Sequence, residues 1–137
     1  MDVFIKEIVV KSEDIDFNGH VNNLKYLEWM INTAMKHSAK NGFDEEFYKK
    51  EGSTWFAKSH KIEYKKPAFE GEKLTIKTWI DSIKRVIAVR KYEIYKNNDL
   101  IAKGESEWVF VDSKTHRPKR IPQEIIKNFL ETPKSLS

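Results

Sequence analysis

An α+β domain, with one antiparallel sheet wrapped around a single long helix, is the fold class this sequence predicts. Three observations predict it. A β-branched apolar run comes first, a segment with helical periodicity follows it, and four long alternating runs come after with no second long helix among them. With 137 residues there is room for one domain, which would bury roughly two-thirds of its unfolded surface. No internal repeat or low-complexity linker divides the chain, so residues 1–137 form one predicted domain, with 132–137 expected to fray.

The first run, Val3-Phe4-Ile5-Lys6-Glu7-Ile8-Val9-Val10, is a strand by composition. A polar turn leads to a predicted helix from Asn23, its expected cap, to about Asn41. Leu24, Leu27, Ile31, Ala34, Met35 and Ser38 recur there at three- and four-residue steps, and this predicts one buried stripe. Asn41-Gly42 is the expected stop, and Asp44 to Glu51 a short second helix ended by Gly52. Four strands follow at about Thr54–Lys65, Lys73–Lys84, Val86–Lys96 and Leu100–Val111. Leu74, Ile76 and Ile80 share one face, with Thr75, Lys77 and Trp79 on the other; Ala102, Gly104, Ser106, Trp108 and Phe110 also line one face. Pro122 to Leu130 predicts a terminal helix, and Thr132-Pro133 its end. A single sheet on one helix leaves a face and an edge uncovered. Trp55, Trp79 and Tyr95 are candidates to occupy them, which favours dimerisation.

Composition removes several function classes. The chain contains no Cys, which excludes disulfides, thiolate metal sites and a cysteine nucleophile. The N-terminus has no basic region followed by a long apolar one, and no apolar run reaches the ~20 residues that span a bilayer. A soluble cytoplasmic protein is therefore expected. The net charge of +4 spreads 25 Lys and Arg among 21 Asp and Glu, which argues against a nucleic-acid partner. The densest basic run, His116-Arg117-Pro118-Lys119-Arg120, falls in a predicted turn without aromatics for base stacking.

Functional side chains concentrate in Asp14-Ile15-Asp16-Phe17-Asn18-Gly19-His20-Val21-Asn22-Asn23, where a strand hands over to a helix. Asp14, Asp16, Asn18 and Gly19 imitate the first half of an EF-hand calcium loop. That loop needs a bidentate Glu at its twelfth position, and here the twelfth residue is Lys25, while a strand precedes in place of a helix. No metal is expected.

The string Asp-x-Asp-x-x-Gly-His-Val-Asn-Asn, followed by Tyr26-Leu27, resembles the signature of thioesterases with the hotdog fold. It is similar to the 4-hydroxybenzoyl-CoA thioesterase-like group, including bacterial long-chain acyl-CoA thioesterases, and to plant acyl-acyl carrier protein (ACP) thioesterases. Ile62 to Ala68 with Gly71-Glu72, and Gly104 to Asp112 with Arg117-Pro118, resemble later strands and turns of that family. The resemblance implies a hotdog domain acting as a homodimer or dimer of dimers with shared active sites, no cofactor, and an acyl-CoA or acyl-ACP thioester as substrate.

Thioester hydrolysis needs an attacking group and donors for the developing oxyanion. Asp16 aligns with the family's catalytic acid and is expected as general base or nucleophile; the alternative is that it caps a turn. Asn18 is expected to donate to the thioester carbonyl or orient Asp16, and His20 to hold water or support the carboxylate. Backbone N–H groups around Gly19 to Val21 would form the oxyanion hole, with Gly19 free to take a positive φ. Asn22 and Asn23 are expected to fix the turn and cap the helix, and Asp14 to stabilise the loop. Tyr26, with Trp29 and Met30, lines an acyl tunnel or is plain core. Arg117, Lys119 or Arg120 either contacts coenzyme A phosphates or is a solvated turn.

The plant family's Glu-Cys pair is replaced by Pro67 and Ala68, so a mechanism using that acid or thiol is excluded. The plant enzymes also carry two hotdog repeats, and this length allows one. Two alternatives remain: an (R)-specific enoyl-CoA hydratase, whose Asp-x-Asn-Pro-x-His string is matched here without the Pro and one residue short, and a non-catalytic acyl-thioester binding module.

Overall fold

The alternating and periodic segments form nine short stretches of regular structure in a computed structural model, which describes residues 1–131. The expected stop at Thr132-Pro133 and the expected frayed tail lie outside the described residues. In chain order the elements are β1 (Val3–Val9), a 3-10 turn (Ser12–Asp14), α1 (Asn23–Lys40), α2 (Glu45–Glu51), β2 (Ser53–Tyr64), β3 (Lys73–Lys84), β4 (Ile87–Lys96), β5 (Asp99–Asp112) and α3 (Gln123–Leu130). Each expected boundary falls within one residue of the observed one, as close as helix and strand ends can be defined.

The strands make one antiparallel sheet in the order β1-β3-β4-β5-β2. Its inner face carries Leu74, Ile76 and Ile80 from β3, Tyr92 and Ile94 from β4, and Ala102, Ser106 and Phe110 from β5, all buried. These are the faces that alternation predicts. β2 hydrogen-bonds to β5 alone, so its other edge carries no strand among the described residues.

α1 lies against this inner face, but not on the stripe expected from its apolar residues. Leu24 and Met35 are 74% and 65% exposed, and the buried positions are Tyr26, Met30, Thr33, Ala34 and His37. The helix is rotated because two of its buried residues are polar and satisfied. Thr33 Oγ1 donates to the Trp29 carbonyl at 2.7 Å. His37 sits in a chain of hydrogen bonds that joins four elements and the N-terminus. Arg90 Nη1 donates to His37 Nδ1 at 2.9 Å and to Thr78 Oγ1 at 3.1 Å. With Nδ1 accepting, His37 carries its proton on Nε2 and donates it to Asp2 Oδ2 at 2.7 Å. Asn41 donates to the same oxygen at 2.7 Å and to Asn128 of α3 at 2.8 Å. The helix cap also differs: Asn22, rather than Asn23, is the N-cap, its side chain accepting from Leu24 N at 2.9 Å.

Close approach of helix and sheet rests on Gly104 at the middle of β5. A Cβ built there would stand 2.8 Å from Met30 Sδ and 3.1 Å from its Cε. Trp55, expected on an uncovered surface, instead turns inward against Phe110, with ring centroids 4.9 Å apart. Trp79 and Tyr95 are half-buried on the outer side of the sheet.

Two stability predictions follow from these contacts. Gly104→Val should lower unfolding free energy by about 1–3 kcal/mol through overpacking against Met30. Most of that loss should return in the Gly104→Val, Met30→Ala double variant, read by urea titration. Burial lowers the pKa of His37, against the pull of Asp2 and with help from Arg90. Asp2 is also lowered: burial raises it, but hydrogen bonds from Asn41 and His37 outweigh that. A depressed histidine pKa means that the unfolded chain takes up a proton that the fold resists. Stability should therefore fall as pH drops below about 6.5, the value for a free histidine. The urea midpoint should decrease between pH 7.5 and 5.5 in the wild type, and His37→Gln should reduce that decrease.

Candidate active site

The polar segment between β1 and α1 closes into a small hairpin held at both ends. An isolated antiparallel bridge joins Ile15 to Val21. Asp16 N donates to the His20 carbonyl at 3.1 Å, and Gly19 N to the Asp16 carbonyl at 3.0 Å. The tight return needs Gly19 at φ 87°, the positive value expected for it. Val21 N donates to the Ala68 carbonyl at 2.9 Å, which docks the hairpin on the segment after β2. Asp14 is buried beneath the loop. It accepts from Lys11 N at 2.9 Å and pairs with Lys25 Nζ at 3.2 Å, so the residue in the calcium-loop position twelve neutralises the first one. Among the described residues no cluster of His, Cys, Asp and Glu is arranged to hold a metal ion.

Asp16 is half-buried and is fixed as an acceptor: its Oδ1 takes the Asn18 N–H at 2.9 Å, and its Oδ2 has no protein donor. The turn-capping role is thus real, and it leaves one oxygen open. His20 Nδ1 lies 3.4 Å from the Val21 carbonyl, its ring edge-on to Phe69, and its Nε2 has no protein partner. The Asn18 side chain is exposed, and Phe17 beside it is 98% exposed. No hydrogen bond joins the side chains of Asp16, Asn18 and His20 to one another.

Of the backbone N–H groups from Gly19 to Val21, those of Gly19 and Val21 are spent on backbone carbonyls within the fold and that of His20 is not. Asn23 N–H, in the first turn of α1 where the helix leaves N–H groups open, is unspent as well. Tyr26 is 2% exposed and packs edge-on to Trp29 and Tyr64. Burial holds its pKa up, against a backbone hydrogen bond at Ala68. It supports the helix start from within the core.

Arg117, Lys119 and the exposed Arg120 follow β5, where Lys119 N donates to the Phe110 carbonyl and Asp112 N to the Arg117 carbonyl. The loop docks instead near Ala68, beside the opposite end of the sheet. Ten residue steps along β5, from Ala102 to Asp112, separate the two ends, roughly 33 Å at the usual strand rise. Within one chain the basic turn and Asp16 are not brought together.

A cavity of about 470 Å³ opens at the basic-turn end, between the second half of α1, α2 and the sheet. Ile31, Ala34, Trp55, Ala88 and Trp108 give it apolar walls, and Ser38, Tyr48 and Arg90 supply polar atoms. Its size is that of a small-ligand pocket. Burial pushes the Arg90 pKa down to about 10, so the guanidinium remains charged at neutral pH. Burial likewise raises Tyr48. None of these polar residues was expected in a site. Arg90 was detectable as the one charged residue on the inward-alternating positions Ala88, Arg90, Tyr92 and Ile94 of β4. No helix of the described residues is long and apolar enough to cross a membrane.

Comparison with known proteins agrees with this geometry. The family model for the acyl-ACP thioesterase N-terminal domain matches residues 1–129. YneP of Bacillus subtilis (strain 168), which carries an acyl-CoA thioesterase name, is 31% identical over 119 residues, 86% of each chain. A DHNA-CoA thioesterase from Staphylococcus aureus is 26% identical with TM-score 0.81, covering 96% of this chain and 85% of that one. An acyl-ACP thioesterase from Bacteroides thetaiotaomicron VPI-5482 aligns with TM-score 0.81 at 21% identity, covering 87% of this chain but 49% of its own length. With its single antiparallel sheet on one long helix, the chain belongs to the acyl-ACP thioesterase family of hotdog-fold thioester hydrolases.

Proposed function

We propose that the protein hydrolyses an acyl-CoA or acyl-ACP thioester with Asp16 as general base, or alternatively as nucleophile. The observation that carries this is the state of the Asp16 carboxylate: one oxygen is pinned by Asn18 N–H, and the other accepts from no donor among the described residues, in a hairpin that also carries the unspent His20 amide. In the general-base form, Asp16 takes a proton from water as the water oxygen bonds to the thioester carbonyl carbon. The His20 and Asn23 N–H groups receive the negative charge on the carbonyl oxygen. Collapse of the tetrahedral intermediate breaks the C–S bond and releases the thiolate, which accepts the proton. Asn18 and His20 side chains border the same space and would hold the water or the carbonyl.

The working unit in this proposal is a homodimer, built by antiparallel pairing of the open β2 edges, with a dimer of dimers as its larger form. Two-fold pairing of this kind sets the Ser53 end of one strand beside the Tyr64 end of the other. The partner's basic turn and apolar cavity would then lie next to Asp16. Arg117 and Lys119 could meet coenzyme A phosphates only in this arrangement. The half-length match to the larger Bacteroides enzyme is in keeping with a need for two such units. We place the protein in the cytoplasm, where coenzyme A and carrier-protein thioesters are available.

Asp16→Asn and Asp16→Ala should lower thiol release from acyl-CoA thioesters by about 10²–10⁴-fold with an unchanged melting temperature. Full activity in either variant would remove Asp16 from the mechanism.

A further inference from the structure

Most of the cavity wall is hydrocarbon, yet a full positive charge is buried in it. Arg90 is 5% exposed, and no carboxylate lies within ion-pair distance of it. Its nearest acid, Asp2, is reached only through His37. Both hydrogen bonds leave from Nη1, to His37 and Thr78, and Nε and Nη2 donate to nothing among the described residues. No fully closed-off side-chain nitrogen there lacks a partner, so these two nitrogens are not sealed away, and Arg90 is part of the cavity wall. The remaining faces of the guanidinium are occupied: the Phe129 ring stands 5.8 Å from Cζ, and the His37 and Thr78 bonds fix the plane. The fork is held rigid, with paired donors turned to an apolar space, which is the geometry that recognises a carboxylate.

We propose that this cavity takes an apolar chain ending in a carboxylate, with the carboxylate seated on Nε and Nη2 of Arg90. The site rests on the thioesterase reading only for the source of that chain. It is either the far end of a dicarboxylic acyl substrate or a released fatty acid bound by its own head group. Tyr48 and Ser38, hydrogen-bonded to each other at 3.1 Å, offer a second polar contact on the same wall. Asp44 and Glu45 also line the cavity, on its solvent side; both are exposed, and Asp44 Oδ1 is turned to the Phe47 N–H. They face water, where their repulsion of an incoming anion is screened. Desolvated inside, the carboxylate would meet an unpaired cation and no competing acid.

Trp55 and Trp108 line the cavity and report on its occupancy without any catalytic step. Titration of the wild type with decanoate and with methyl decanoate, followed by tryptophan fluorescence, should give at least tenfold tighter binding of the free acid. Arg90→Met should abolish that preference, and Ala88→Leu, which fills the cavity and leaves Arg90 in place, should weaken both ligands. Thermal melts show whether each variant is folded, and Ala88→Leu keeps the test decisive if Arg90→Met is not. Equal binding of acid and ester by the wild type, an unchanged preference in folded Arg90→Met, or unchanged affinities in folded Ala88→Leu would overturn the proposal. A parallel assay of thiol release compares sebacoyl-CoA with decanoyl-CoA. A tenfold higher kcat/KM for sebacoyl-CoA assigns the carboxylate to the substrate tail; no preference, with inhibition by decanoate, assigns it to the released acid. Decanoate binding without hydrolysis of any thioester would remove the thioesterase reading and leave the carboxylate site standing.

Discussion

The seating of α1 on the sheet depends on one buried chain of charge and hydrogen bonds, from Asp2 through His37 to Arg90. A histidine and an arginine on facing inner surfaces would be costly if either lost its partner, by about 1–3 kcal/mol for leaving a buried hydrogen-bonding group unsatisfied. Completed, the chain decides which face of the helix turns inward. It also ties the first residues of the protein, the end of α1 and, through Asn41, the terminal helix α3 to the middle of the sheet. Here the arrangement chosen points Arg90 at a cavity and leaves Leu24 and Met35 in solvent.

Orientation of the helix then places the chemistry. With Tyr26 and Met30 inward, Asn22 caps the first turn and the hairpin that carries Asp16 is strapped to Ala68. In the proposed mechanism the acid comes from the loop and the donors from the helix start, while the apolar cavity lies at the other end of the same helix. The proposed antiparallel pairing across the β2 edge would reunite them.

Much of this was legible from residue order. Two-residue alternation marked β3 from Leu74 to Ile80, and glycines and asparagines marked nearly every turn, because those signals depend on local geometry alone. The motif around Asp16 was legible because its residue types suit both the turn and the chemistry. The helix face was not. A search for apolar periodicity finds Leu24, Leu27, Ile31, Ala34, Met35 and Ser38, of which only Ala34 is buried, whereas Thr33 and His37 are buried with partners that lie 4 and up to 53 residues away. Of the amides expected as donors from Gly19 to Val21, that of Val21 is bonded to Ala68, a partner supplied only by the tertiary fold. Arg90 carried a signal, a charge at an inward position of an alternating strand, that gains meaning once the cavity beside it is seen.

The most direct test of this account is a crystal structure with a non-hydrolysable oxoalkyl-thioether analogue of an acyl-CoA. The account predicts two copies joined through β2, with the analogue's carbonyl oxygen on the His20 and Asn23 N–H groups and its carbonyl carbon facing Asp16 Oδ2. The alkyl chain should enter the partner's cavity, toward its buried guanidinium. A carbonyl bound away from Asp16, or a chain lying in the groove beside Trp29 on the other side of α1, would contradict it.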